Sequence, residues 1–396
     1  MKKCIIIGIS DSREQWFPPR VMEAVRSGSV FSGGKRHREI VESILPDNAT
    51  WIDIAVPLSA VFEQYAHYES VVIFASGDPL FYGFANTVQR ECPDAEMKVF
   101  PAFNSLQMLA HRMCLPYHDM NAVSLTGRPW QQFDEALIEG RPLLGVLTDR
   151  HKTPQAIAQR MAEYGYDNYS ITIGECLGNE KEESLFAYAD ASHLAQEERA
   201  FAIPNCMILQ KTRNRERPFG IPETEFHLLN GRAKMITKMP VRLLTLSMLD
   251  LRDKHSFWDV GFCTGSVSIE AKLQFPHLHI TAFEVREEGK ALMEANSKKF
   301  GTPGIDAVIG NFLDTDISNI ERPDAVFIGG HGGRLREMIE KLHSVMLPGA
   351  TLVFNSVSEE SKLMFEESIR SVGMEMKRET RIAIDEHNPI YIMLAR

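Results

Sequence analysis

Residues 257–284 constrain the fold more than any other stretch of this chain. An apolar run, Phe257 to Val260, stops at a glycine turn from Gly261 to Gly265. A helical pattern starts at Ser266, and a second apolar run, His279 to Phe283, ends in the acid Glu284. Strand, small-residue loop, helix, strand, acid is the order of an open α/β sheet. There the loop lies against a nucleotide-like ligand, and the acid accepts ribose hydroxyls. Gly265 should let the backbone approach the ligand, and the Ser266 hydroxyl should cap the helix. A ligand-free strand–turn–helix gives the same glycine pattern, so the flanking acids Asp259 and Glu284 carry the weight.

A dinucleotide site wants three glycines that bring a pyrophosphate to the helix N-terminus. Here Cys263 holds the middle position and Ser266-Val267 the third. Asp259 suits a cationic or amino-acid ligand better than a pyrophosphate. S-adenosylmethionine combines a sulfonium, an ammonium and a ribose, so two carboxylates flanking the loop favour it on charge. A plain turn and a dinucleotide site stay open as alternatives. On the favoured reading Asp259, Gly261, Phe262, Cys263, Thr264, Gly265 and Glu284 hold the cofactor.

At 396 residues the chain exceeds one ordinary core, which predicts two domains. Strand-like runs at 4–9, 71–75, 97–100, 142–147, 169–173 and 206–209 alternate with helix-like runs in the first half. The second half alternates again, with strands at 257–260, 279–283, 306–309, 325–328, 351–354 and 390–394. Between them, Lys211 to Gly220 is a charged, Pro/Gly-containing break. The expected architecture is two α/β domains in tandem, 1–212 and 218–396.

Other loops follow strand ends. Ala75-Ser76-Gly77-Asp78-Pro79-Leu80-Phe81-Tyr82-Gly83 reads as a strand, a turn and a helix beginning at Pro79. Pro101 to Ser105 and Leu125 to Arg128 leave strands in the same way. Gly329-Gly330-His331-Gly332-Gly333 sets four glycines around a histidine, a loop built for positive φ or close ligand approach. His-Gly-Gly also occurs in lipase oxyanion loops, but no Gly-x-Ser-x-Gly elbow accompanies it. Asn388-Pro389-Ile390-Tyr391 matches an amino-group methyltransferase signature, yet follows the wrong strand and reads as a turn. The cluster Lys35-Arg36-His37-Arg38 reads as a solvated helix start, gaining weight only for a polyanionic substrate.

A formal net charge of −10 argues against a nucleic-acid partner. No apolar run of eighteen residues is present, so no membrane span is expected. Six scattered cysteines without a C-x-x-C pair suit reduced thiols of a cytoplasmic protein, and neither a signal peptide nor a metal site is expected.

Taken together, these motifs resemble the bifunctional precorrin-6Y methyltransferase family of cobalamin biosynthesis. The markers are 75–83, Val123 to Arg128, Glu175 to Gly178, Met235 to Lys238 with Val241-Arg242, Trp258 to Glu270, and Phe327 to Gly333. The resemblance spans essentially the whole chain. It implies a tetrapyrrole-methylase-like α/β domain followed by a Rossmann-like class I S-adenosylmethionine-dependent methyltransferase domain. It implies methylation of a precorrin-6 or cobalt-precorrin-6 type tetrapyrrole at positions 5 and 15, with loss of the ring C acetate carboxyl. Carried over by motif, further cofactor contacts are Thr237, Asn311 and Phe312, and in the first domain Ser76, Gly77, Asp78, Asn104 and Ser105. Cations near the loops, Arg128, Arg150, Lys238, Arg242 and Arg334, should hold the substrate's carboxylates. Gly330 and His331 should line the decarboxylation site, the glycine N–H groups as an anion nest and the histidine as hydrogen-bond donor or proton shuttle. Relatives of the second domain suggest a homo-oligomer. The first loop departs from the family's Gly-x-Gly-Pro-Gly, reading Gly8-Ile9-Ser10-Asp11-Ser12, and Cys263 replaces a glycine. The competing functions are a methyltransferase for RNA or another small molecule, and a binding module without activity.

Overall fold

The computed structural model describes residues 1–231, 235–384 and 389–396. By its contacts the chain divides into two compact units. The first comprises Met1–Arg128, Arg141–Gln159 and Asn168–Arg213; the second comprises Pro129–Gly140, Arg160–Asp167 and Asn214–Arg396. Residues 129–140 and 160–167, which the sequence reading leaves inside 1–212, therefore group with the second unit.

In the first unit, β1 (Lys3–Ile9), β2 (Val30–Gly33), β3 (Thr50–Asp53), β4 (Ser70–Ser76) and β5 (Glu96–Phe100) form a parallel sheet, ordered β3-β2-β4-β1-β5. Both faces are covered, so its central strands run almost wholly apolar. Ile6, Val71 and Ile73 pack on one face, while Ile7, Val72 and Phe74 pack on the other. A second sheet holds β6 (Asn121–Ser124), β7 (Leu143–Leu147), β8 (Tyr169–Glu175), β9 (Ser184–Tyr188) and β10 (Asn205–Lys211), ordered β6-β7-β10-β8-β9. Only β6 and β7 pair parallel there; the other pairs are antiparallel.

The second unit contains β11 (Ser256–Val260), β12 (His279–Glu284), β13 (Ile305–Ile309), β14 (Ala325–Ile328), β15 (Thr351–Ser356), β16 (Met376–Ile382) and β17 (Ile390–Ala395). Their order is β13-β12-β11-β14-β15-β17-β16, parallel except where β17 meets β15 and β16. The chain order reverses at β11, and there the first strands diverge to leave a crevice beyond their carboxyl ends. Alternate residues serve opposite faces: Trp258, Val326 and Leu352 pack on one, Phe257, Ala325 and Val353 on the other.

Two local expectations need correction. The helix after β4 is Phe84–Glu91 and starts behind Gly83, not at Pro79. Asp78 Oδ1 first accepts the Leu80 N–H at 2.9 Å, closing an Asx turn that must finish before the helix begins. Ser266 does not cap its helix. Gly265 takes the capping position at φ 74°, which makes Ser266 the first helical residue, and no side chain caps the end.

Candidate active sites

In the second unit, three loops at the carboxyl ends of parallel strands are stitched together by backbone hydrogen bonds. The N–H groups of Gly261 and Phe262 donate to the carbonyl of Phe283, at 2.8 and 3.1 Å. Gly329 N–H donates to Val260 O at 2.8 Å, and Gly310 N–H to Glu284 O at 2.9 Å. Gly261 sits at φ 84°, and a Cβ there would lie 2.8 Å from the backbone nitrogen of Gly330. Two loops can pass this closely only with glycine at position 261. Together they edge a cavity of about 820 Å³ lined by Thr237, Lys238, Asp259, Gly261, Phe262, Cys263, Thr264, Glu284, Asn311, Phe312, Gly330, His331 and Arg334.

Two buried carboxylates set the charge of this cavity. Glu284 Oε2 accepts the Cys263 N–H at 2.9 Å, and Oε1 accepts from Arg286 Nη1 at 2.9 Å. Asp259 is fully buried; its Oδ2 accepts the Ser268 hydroxyl at 2.6 Å while Oδ1 has no partner. Burial pushes the Asp259 carboxyl up to about 7, opposed by the Ser268 hydrogen bonds and reinforced by the Glu284 charge. Thr264 Oγ1 is a second buried polar atom without a partner. Cys263 donates its thiol hydrogen to Met235 O at 2.9 Å, and burial pushes that thiol up to about 11, so it stays protonated.

Other expected residues have different duties. Arg242 does not reach the cavity: it is fully buried, paired with Glu270 at 2.6 Å, and donates to Thr237 O at 2.8 Å. A substrate carboxylate cannot compete for a guanidinium so enclosed, so Arg242 braces the Thr237 segment. Gly265 is absent from the lining; a Cβ there would lie 2.5 Å from Met293 Sδ, so its glycine serves helix packing. Asn311 spends its side chain on Asp314 and the Leu313 N–H, closing the turn after β13. Arg334 stands at the rim paired with Glu337, Nε donating at 2.9 Å. His331 Nδ1 accepts the Gly333 N–H at 3.1 Å, and burial lowers its pKa, which leaves a neutral ring with its proton on Nε2. Asn388 lies outside the described residues; Tyr391 is on β17 beside Ile390, which lines the cavity, but its own hydroxyl is on Glu359.

The first unit has its own cavity, of about 470 Å³, lined by Ser76, Gly77, Asn104 and Ser105 among others. Gly8 is the glycine that matters in the altered first loop. A Cβ there would lie 2.0 Å from Gly77 O and 2.6 Å from Ala102 N. Asn104 and Gln107 cap the helix Ser105–Arg112 reciprocally. Asp78 and Arg128 are not in the lining; Asp78 closes the turn already described, and Arg128 lies over the Tyr82 ring at 5.2 Å. Arg150 is likewise absent from it. Arg36 and His37, read in the sequence as a solvated helix start, instead line the cavity together with Asp11.

Comparison with known proteins agrees with this geometry. The family described as tetrapyrrole (corrin/porphyrin) methylases matches residues 3–190, and that described as precorrin methyltransferase domain matches residues 230–393. A precorrin-6Y C(5,15)-methyltransferase (decarboxylating) of Sinorhizobium sp is 31% identical over 89% of this chain and 84% of its own. The chain belongs to the precorrin-6Y C(5,15)-methyltransferase (decarboxylating) family. Single-function relatives also match. A cobalt-precorrin-6B C(15)-methyltransferase (decarboxylating) of Salmonella typhimurium is 38% identical over 34% of this chain and 68% of its own. A cobalt-precorrin-7 C(5)-methyltransferase of the same organism is 25% identical over 45% of this chain and 86% of its own.

Methyltransferases of this family use S-adenosylmethionine. The second cavity fits that cofactor on its own chemistry. Among the described residues Asp259 Oδ1 and Thr264 Oγ1 are buried polar atoms without partners, and Asp259, unlike Glu284 with its Arg286, has no ion pair, which suits a cationic guest.

Proposed function

We propose that this chain methylates a precorrin-6 or cobalt-precorrin-6 type tetrapyrrole at positions 5 and 15 and removes the ring C acetate carboxyl as carbon dioxide. Residues 1–212 would act at position 5 and residues 218–396 at position 15. The observation that carries the reading is a relative matched over 89% of this chain, whose name gives both activities, together with a strand-end cavity in each unit.

S-adenosylmethionine supplies, when bound, a methyl group already activated on a sulfonium. Asp259 would offset the cationic end, and Glu284, held by the Cys263 N–H and Arg286, would accept ribose hydroxyls. Phe262, Phe312 and Val285 line the same cavity as Val357, Ile382, Ile384 and Ile390, an apolar surface suited to a macrocycle and to excluding water. The chain needs no strong nucleophile, because its task is to align donor and acceptor carbon in line. Lys238 and Arg334 line the cavity as cations for peripheral carboxylates. Gly330 and Gly332, which line the cavity, would hold the departing carboxylate by their N–H groups, with the neutral His331 Nε2–H as a further hydrogen-bond donor. As the C–C bond breaks, its electron pair passes into the protonated macrocycle. The reading takes the chain as a cytoplasmic, self-associating enzyme; its six free cysteines suit that compartment, and sedimentation equilibrium tests the association.

Incubation with S-adenosylmethionine and a precorrin-6 substrate, followed by mass spectrometry, should show two methyl additions and one carbon dioxide loss. A product lacking both would end the proposal. Glu284→Ala should weaken cofactor binding at the second cavity by about ten- to hundredfold, the worth of a charge-assisted hydrogen bond. Unchanged affinity by calorimetry would remove Glu284 from the site.

A further inference from the structure

In the first cavity, four side chains converge from three separate segments. Arg36 Nη1 donates to Asp11 Oδ1 at 2.6 Å, and its Nη2 donates to Ser76 Oγ at 2.9 Å. His37 Nε2 lies 2.9 Å from the same Ser76 Oγ. Asp11 is buried, Arg36 is one-third exposed, and all four residues line the cavity.

The proton positions follow from donors and acceptors. Gly34 N–H donates to His37 Nδ1 at 3.2 Å, so Nδ1 must carry a lone pair. Burial first, then the Arg36 charge, holds the imidazole down at about 4, so the ring is neutral and its proton sits on Nε2. The Nε2–H therefore donates to Ser76 Oγ, with the Phe74 carbonyl as a further acceptor facing the ring. A guanidinium N–H can only donate as well, so the serine oxygen accepts twice. Its own hydrogen is then free to serve an acceptor other than these two, on a side chain that lines the cavity at the end of β4. Asp11 holds Arg36 by one nitrogen, and among the described residues Nε–H and further N–H groups of the fork have no hydrogen-bond partner. Because the Asp11 carboxylate also offsets the guanidinium charge, the group selects by placement of donors more than by net charge.

We infer that Ser76, Arg36 and His37, fixed by Asp11, form a carboxylate-recognising subsite in the first cavity. The inference rests on the proposed function, since that reaction brings two carboxylate-bearing molecules there. One is the tetrapyrrole with its peripheral acids, and the other is the methionine end of the cofactor. Arg36 and Ser76 act as binding residues, while His37 and Asp11 are positioning residues.

The test uses the full chain and begins with wild type. Methylation of the tetrapyrrole, read by mass spectrometry, establishes the parent reaction independently of the subsite. Arg36→Gln and Ser76→Ala are then compared with wild type in two titrations. One follows the tetrapyrrole by quenching of intrinsic fluorescence without cofactor; the other follows S-adenosylmethionine by two-site calorimetry without tetrapyrrole. A ten- to hundredfold loss in the first titration alone assigns the carboxylate to the substrate; the same loss in the second alone assigns it to the cofactor. A substrate whose peripheral acids are converted to primary amides supplies the readout that altered folding would not move. If the subsite reads a substrate carboxylate, conversion to amides should weaken binding to wild type by about ten- to hundredfold more than it weakens binding to Arg36→Gln. Ser76→Ala removes one exposed hydroxyl and keeps the test decisive should Arg36→Gln fold poorly. Unchanged affinity for both molecules in Ser76→Ala, with a wild type that methylates, overturns the inference and leaves the parent function standing.

Discussion

The cavity of the second unit is walled by two buried acids, Asp259 and Glu284, whereas that of the first gathers Arg36, His37 and a hydroxyl around one acid, Asp11. Both lie at the carboxyl ends of parallel strands, and both depend on a glycine through which neighbouring loops touch, Gly261 in one and Gly8 in the other. They differ in how the buried charge is balanced. Asp11 has a guanidinium 2.6 Å away, so the first cavity balances its buried acid internally. Asp259 has one hydroxyl donor and an unpartnered oxygen, so the second is settled only by protonation or by a cationic guest. Equivalent places in two sheets can therefore differ in whether a buried carboxylate has a cation of its own beside it.

The largest break in this comparison should come from Gly261→Ala. The added Cβ would meet the Gly330 backbone at 2.8 Å from a left-handed backbone that itself costs a non-glycine residue about 1–2 kcal/mol. Cofactor binding in the second cavity and position-15 methylation should fall more than about a hundredfold, while position-5 methylation persists. A two-site calorimetric titration indistinguishable from wild type would show that the loops can part at no cost.

Next in size is His331→Ala. Loss of a positioned hydrogen-bond donor should slow carbon dioxide release by about a hundredfold or more, with cofactor affinity unchanged. Full release by that variant would remove the histidine from the mechanism and leave the glycine loop to act alone.

Asp259 sharpens the comparison through pH. Burial pushes its carboxyl up to about 7, and a cationic guest must lower that value, so binding expels a proton. Cofactor affinity at the second cavity should drop by up to about tenfold per unit as pH falls below 7, and Asp259→Asn should flatten the profile. Stability runs the other way. An unfolded aspartate titrates near 3.9, so the empty native state holds its proton more tightly from roughly pH 4 to 7. It should therefore lose stability as pH rises through that window. Asp259→Asn should raise the melting temperature of the empty protein above pH 7 while weakening its grip on the cofactor. A melting temperature that is unmoved by the substitution would mean the carboxyl is already ionised and balanced.

The smallest expected effect belongs to Asn311→Ala. Its amide closes a turn that Lys341 also braces, donating to the carbonyls of Phe312, Leu313 and Thr315. Stability should fall by about 1 kcal/mol, with cofactor affinity changed less than about threefold. A larger loss would return Asn311 to direct contact.

Much of the second unit was legible because its signal is local. Loop, helix and acid fall within 28 residues of one another, and the central strands are apolar runs that admit no other reading. What escaped was short or polar. β2 and β3 have four residues each, and β16, Met-Lys-Arg-Glu-Thr-Arg-Ile, is an edge strand whose side chains are largely exposed. The antiparallel pairing of β8, β9 and β10 depends on partners that alternation of strand and helix does not reveal. Residue roles failed where the deciding partner is distant. Nothing near Arg242 announces Glu270, 28 positions away, and nothing near Arg36 announces Ser76, 40 positions away. The chain reads its own loops aloud, but long-range pairs are written only in the fold.

The contact between Gly261 and Gly330 is one-sided. A side chain at 261 would strike backbone, whereas one at 330 would meet nothing within 4 Å. Over generations of descent the two positions should behave differently, the first frozen and the second free to sample small residues that reshape the space above it. Position 330 is thus a place where copies of this gene could diverge in substrate preference by single steps without first losing the ability to fold.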